Sequence, residues 1–246
     1  MRLLKPARIR GRRSSFMFCV PPKSVPFLLY EIHEAFLTIN YQSNGETTHQ
    51  DQTLSELGVK MCANLKANFA HMGDVQYIIC SPMFRSLQTV NAAFGKRLNE
   101  SGVAKAFPWA ELRECASSDN PEDKGHQGVD GPREAGHTVD QIKNQVKDMP
   151  FFISSELVPE GWELKNKTDV PKDRHKRAKE VRQDLAKFAQ IAVHGGTWKG
   201  IQFKPYTGPD NVHVVVVSHP NFIDVLTHRS ELPSKLLSSP WVKEPG

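Results

Sequence analysis

The side chains best suited to chemistry stand at the ends of three apolar runs, at Ile32-His33, at Ser81-Pro82-Met83-Phe84-Arg85 and at Ser218-His219. The middle one says most. Val75-Gln76-Tyr77-Ile78-Ile79-Cys80 is β-branched and aromatic, and it meets Ser81 as an N-cap and Pro82 at a first helical position, which predicts a strand running into a helix. The unpaired N–H groups and positive dipole end of such a helix face the region beyond the strand's carboxyl end, with Arg85 in the first turn. A phosphate suits that junction, and so does an ordinary turn with a solvated arginine. In an open parallel sheet, ligands sit outside the carboxyl ends of the strands, so three points far apart in sequence can converge there.

The elements that must position these groups follow from periodicity. Pro26–Ile32 reads as a first strand, Asn40–Gln52 as a polar surface loop, and Leu57, Met61, Leu65 and Phe69 as one face of a helix capped by Ser55. The Pro82 helix buries Leu87, Val90, Phe94 and Leu98. A short apolar segment over 103–112 leads to Leu112-Arg113-Glu114-Cys115, and 116–138 is polar enough to be a long loop or lid. A helix is expected around Val139–Val146, followed by a Pro/Gly-interrupted stretch near Trp162. Asp173–Val193 carries Ala178, Val181, Leu185, Phe188 and Ala192 at helical spacing, its Lys, Arg, Asp and Glu reading as a solvated outer face. His194-Gly195-Gly196 reads as a helix C-cap opening a loop over 194–211, since no G-x-S-x-G accompanies it. Val212–Ser218 is the last strand, and Phe222–Leu226 begins a helix. Strands alternating with helices predict an α/β fold with a mostly parallel sheet covered by helices.

Composition narrows the class. With 246 residues, 39% hydrophobic and 24% charged, the chain suits one α/β domain with a large core. We place that domain over 25–232, between a basic, unstructured leader (1–24) and a Pro/Ser-rich tail (233–246). Residues 1–30 hold seven basic side chains and no acid, so of a net charge of +5 the rest carries −2. The basic balance therefore belongs to the leader, which reads as a tail, a mitochondrial presequence or a misassigned start, and argues against a nucleic-acid surface. No apolar run approaches the roughly 20 residues of a membrane span. Cys19, Cys62, Cys80 and Cys115 lack metal-type spacing and read as reduced thiols, which favours a cytoplasmic setting.

Ser81-Pro82-Met83-Phe84-Arg85-Ser86-Leu87-Gln88-Thr89 resembles the S-P-x-x-R-(S/T)-x-Q-T signature of the histidine phosphatase (phosphoglycerate mutase-like) superfamily. Asp51-Gln52-Thr53-Leu54-Ser55-Glu56-Leu57-Gly58 is similar to its D-x-x-L-(S/T)-x-x-G element, Leu112-Arg113-Glu114 to its L-x-E, and Val214–His219 to its V-V-(T/S)-H, all in family order over residues 26–228. The resemblance implies a three-layer α/β/α sandwich that acts on phosphate monoesters through a phosphohistidine, without metal or other cofactor. On that basis His33 is the nucleophile, since a neutral imidazole attacks phosphorus without a separate base once its ring is oriented. Arg85 and a protonated His219 stabilise the transferring group, and Glu114 protonates the leaving oxygen. Ser81 and Asn40, the latter matching the family's later H-N pair one residue out of register, are read as substrate-binding residues, and Arg113, beside Glu114, as a substitute for the arginine that the family places before its nucleophile. The chain agrees in lacking HExxH, Cys/His ligand spacing and a P-loop. The remaining histidines, His71, His194 and His213 among them, read as solvated or structural.

One departure bears on activity. The family opens its site with Arg-His, whereas this chain has Ile32-His33-Glu34, with no arginine between Arg13 and Arg85. Losing an arginine that stabilises a transferring phosphoryl group costs on the order of 10³-fold. Three readings follow. The chain is a monoester phosphatase acting on a small phosphorylated substrate, or a mutase-type phosphotransferase, or a non-catalytic phosphate-binding member of the fold. A mistaken gene model over residues 1–45 or so is a further explanation of the altered start. Nothing in the sequence sets the oligomeric state.

Overall fold

A computed structural model describes residues 15–17, 30–32, 51, 53–100, 105–114, 136–163, 171–208 and 212–227. His33 and Asn40, the polar segment 116–135 and the tail 233–246 lie outside the described residues. The central sheet has β3 (Val75–Cys80) in the middle, flanked by β4 (Lys105–Pro108) and β7 (His213–Val217), with both pairings parallel. Phe151 adds a further parallel bridge to Ala106 at the β4 edge. Ile78, Ile79 and Cys80 follow one another in β3 with no exposure at all. Because successive strand residues point to opposite faces, that run requires cover on both faces of the sheet, the condition of a parallel α/β sheet.

Among the helices, α1 (Glu56–Asn68) packs with α2 (Phe84–Asn99), which lies against β3 and β4, and α4 (Pro171–His194) packs with α5 (Pro220–Leu226). The apolar stripes of α2 and α4 are buried as their periodicity predicts. That of α1 is rotated. Gly58 and Cys62 are its buried positions, and Leu57 is 40% exposed, so the inward face lies one residue from the Leu57–Met61 stripe. Ser55 caps α1, its Oγ accepting the Gly58 N–H at 3.1 Å. A capping box at Thr138 and Gln141 opens α3 (Val139–Gln145).

Two short antiparallel pairs complete the described architecture. β1 (Ser15–Met17), within residues 1–24, pairs with β2 (Tyr30–Ile32) and lies beside β7. The strand expected over Pro26–Ile32 is thus described only over its last three residues, and its ladder partner is β1. The segment 194–211, expected as loop, contains a hairpin of β5 (Gly196–Trp198) and β6 (Ile201–Phe203). Lys199 and Gly200 both take positive φ at its two-residue turn, which matches the twist of a tight hairpin. Gly195 ends α4 as expected, with φ of 78° and its N–H on Ile191 O at 2.8 Å.

Cys62 and Cys80 are buried free thiols, and burial pushes the Cys80 thiol far above its ordinary range. The core is continuous from α2 through the sheet to α4, where Tyr77, Phe107, Phe188 and Phe203 form edge and tilted ring contacts. Ile78→Ala is expected to cost about 2–5 kcal/mol in urea unfolding. Leu57→Ala, on the outer side of α1, should stay within about 0.5 kcal/mol of wild type; equal losses would contradict the rotated stripe.

Candidate functional site

The parallel register sets Cys80 against Val217, and the ladder continues one step through Ser81 N–H to Val217 O at 2.9 Å. The residues that follow each strand therefore meet. His219 Nε2 lies 2.8 Å from Ser81 Oγ and 3.4 Å from Ser86 Oγ, and all three residues are fully buried. Ser81 Oγ also accepts the Met83 N–H at 3.2 Å, and Ser218 Oγ donates to Leu112 O at 2.7 Å. His219 Nδ1 has no hydrogen-bond partner among the described residues.

Ser81 is not the residue that starts α2. The helix begins at Phe84, with Met83 at the N-cap making no side-chain bond. Its cap comes from outside. Asp51 Oδ2 accepts the Phe84 N–H, and Asp51 Oδ1 accepts from Arg85 Nη1 at 3.4 Å. The anion at the positive end of α2 is thus a buried carboxylate of the chain itself. Gln88 Oε1 in turn accepts the Leu54 N–H at 2.7 Å, so Asp51 and Leu54 are bound to Arg85 and Gln88 of the following helix.

Arg177 is a residue that the sequence reading did not single out. It is 5% exposed, donates to the carbonyls of Glu111, Arg113 and Glu114 at 2.9–3.3 Å, and lays its guanidinium 4.2 Å over the Phe222 ring. Lys176, Lys179, Glu180 and Lys187 lie on the exposed outer face as expected, and among the described residues of the charged run Arg177 alone is buried. Arg177 precedes Val181 by four residues and Leu185 by eight, so it continues the apolar stripe of α4, which was the available signal. Glu114 Oε1 accepts the Phe222 N–H at 3.2 Å at the start of α5. Arg113 turns back on its own loop, donating to Ala110 O at 3.3 Å and Glu111 Oε2 at 3.1 Å.

The electrostatics centre on His219. Burial, reinforced by the charges of Arg85 and Arg177, holds its pKa well below the usual histidine range. The imidazole expected as a cation is therefore neutral at pH 7, and the two guanidinium groups acting on it make the surroundings favourable to an anion.

Of the seven residues expected to act, the structure gathers Ser81, Arg85 and His219 at the strand ends. Arg113 and Glu114 stand on the neighbouring segment joined to α5. No protein-family model matches the chain, and no curated protein matches it.

Asp51→Ala removes both the helix cap and a carboxylate partner of a buried guanidinium, and is expected to cost about 3 kcal/mol or more in denaturant unfolding. Asp51→Asn, which keeps an oxygen for the Phe84 N–H, should cost less. For His219, the unfolded chain takes up a proton below about pH 6.5 that the folded chain refuses. Unfolding then binds a proton, so stability is full above that pH and falls as pH drops, by up to about 1.4 kcal/mol per unit. Urea melts between pH 4.5 and 7.5 should show a shallower acid slope for His219→Gln than for wild type.

Proposed function

We propose that the chain is a phosphate monoester hydrolase of the histidine phosphatase type, with a three-layer α/β/α fold and a phosphohistidine intermediate. The observation that carries this reading is the meeting of Ser81, Arg85 and His219, up to 138 residues apart, where two parallel strands end. An anion there would answer the charges of Arg85 and Arg177 and would raise the pKa of His219 back toward protonation.

In this reading a nitrogen of His33 attacks phosphorus while the bond to the leaving oxygen breaks. Arg85 and His219 stabilise the phosphoryl oxygens as charge spreads over them. Glu114 gives its proton to the leaving oxygen. With Oε1 held by the Phe222 N–H, that proton belongs on Oε2. Water then attacks the phosphohistidine, Glu114 takes a proton from it, and phosphate leaves with His33 restored. Arg177 supplies a second positive charge near His219, through its field rather than by contact, where Ile32 offers none. No helix among the described residues is long and apolar enough to cross a membrane.

A second reading is favoured by Asp51, which already holds Arg85 Nη1 and the Phe84 N–H. In it the pocket binds phosphate without turning it over. Hydrolysis of an aryl phosphate without added metal separates the two. The hydrolase reading expects turnover by wild type, a loss on the order of 10³-fold in Arg85→Ala, and a gain in Ile32→Arg. If wild type and Ile32→Arg are both inert, hydrolysis is excluded. The binding reading then stands only if inorganic phosphate shifts the His219 ring resonances toward the protonated form.

A further inference from the structure

At the opposite edge of the sheet, the amino-terminal ends of β3 and β7 bring three donor side chains together. His71 precedes and Asp74 closes the 3₁₀ turn Met72–Asp74 that leads into β3, and His213 opens β7, paired with Val75. His71 Nδ1 lies 3.0 Å from Asp74 Oδ2, and one donor atom from each of the three residues falls within 4.8 Å of the others. It is the one such group of His, Cys, Asp and Glu among the described residues.

The rings are set in place from several sides. His71 stacks on His213 with centroids 5.3 Å apart and planes 24° from parallel, and Phe69 meets the His71 ring edge-on at 6.2 Å. The backbone N–H of His213 donates to Gln76 Oε1 at 2.5 Å, and Gln76 Nε2 donates to Tyr206 Oη at 3.3 Å. Two imidazoles face one carboxylate. Two imidazole nitrogens beside a carboxylate oxygen are a donor set matched to a borderline divalent ion.

We propose that His71, Asp74 and His213 form a three-ligand site for a divalent transition-metal ion of the zinc class, with water in the open position. Donors around tetrahedral zinc sit about 2.0–2.2 Å from the metal and therefore roughly 3.3 Å from one another. The His71–Asp74 pair, at 3.0 Å, stands a few tenths of an ångström inside that spacing. The His71 and Asp74 side chains are 34% and 47% exposed, which leaves them room to rotate toward an ion and gives the ion a way in. The bound ion ties the turn before β3 to the start of β7. Lying at the edge away from Ser81 and His219, it is independent of any phosphate chemistry.

The test is calorimetric titration of the full chain with zinc chloride after treatment with chelator, repeated with cobalt to read its visible absorption. Wild type is expected to bind one zinc per chain, to give the absorption of tetrahedral cobalt, and to melt at a higher temperature with zinc than with chelator. His71→Ala, Asp74→Ala and His213→Ala should each weaken binding by about tenfold or more, while His194→Ala, at an exposed histidine outside the group, should not. Melting in chelator checks that each variant folds. Should His213→Ala fail to fold, the two partly exposed ligands still decide the matter. Absence of stoichiometric binding, or equal affinity in wild type and the three ligand variants, overturns the site.

Discussion

In a parallel strand pair, both chains deliver their carboxyl ends to the same edge, and the register decides which residues meet there. Here Cys80 is set against Val217, so Ser81 and His219 come within a hydrogen bond of each other. A shift of one residue would turn every side chain of the strand to the other face. The run Val214–Val217 is buried throughout, so both of its faces are committed to the core.

Most polar groups at this edge are buried and matched, His219 Nδ1 being an exception among the described residues. A buried guanidinium is costly unless its N–H groups find acceptors. Arg177 finds three backbone carbonyls in the turn that carries Arg113 and Glu114, and also covers the Phe222 ring. Arg182, one turn farther along α4, donates to the carbonyls of Val225 and Leu226 at the other end of α5. Glu114 completes the arrangement from the amino-terminal side of α5. A seven-residue helix, too short to be stable alone, is thereby anchored at both ends, and the histidine that precedes it is held with it.

How far the fold could be read in advance depended on what fixes each part. The stripes of α2 and α4, the strand at Val75–Cys80 and the C-cap at Gly195 are local patterns, and the structure keeps them. α1 differs because Leu57 and Met61 are two of several apolar residues on a helix whose close contact is made by Gly58 and Cys62. Composition cannot say which stripe a neighbour will prefer. Asp51 was visible only as a motif letter. Its work, capping a helix that begins 33 residues later and pairing with Arg85, is a tertiary fact with no local trace. Arg177 was legible by period and obscured by the charge around it. The neutral state of His219 follows from burial beside two cations, which no run of residues displays.

The distance along the chain between β3 and β7 also sets an order of events. β4 pairs with β3 after about 25 intervening residues, so that half of the sheet can form while the chain is still being made. The other edge of β3 must wait until residues 213–217 have left the ribosome, more than 130 residues later. Until then an Ile-rich strand edge is open, and its eventual partner is an unbroken valine run of the kind that pairs readily with the wrong chain. High contact order makes this closing step slow. The pairing that assembles the polar edge is thus the last to be available in synthesis and the one most exposed to misassembly.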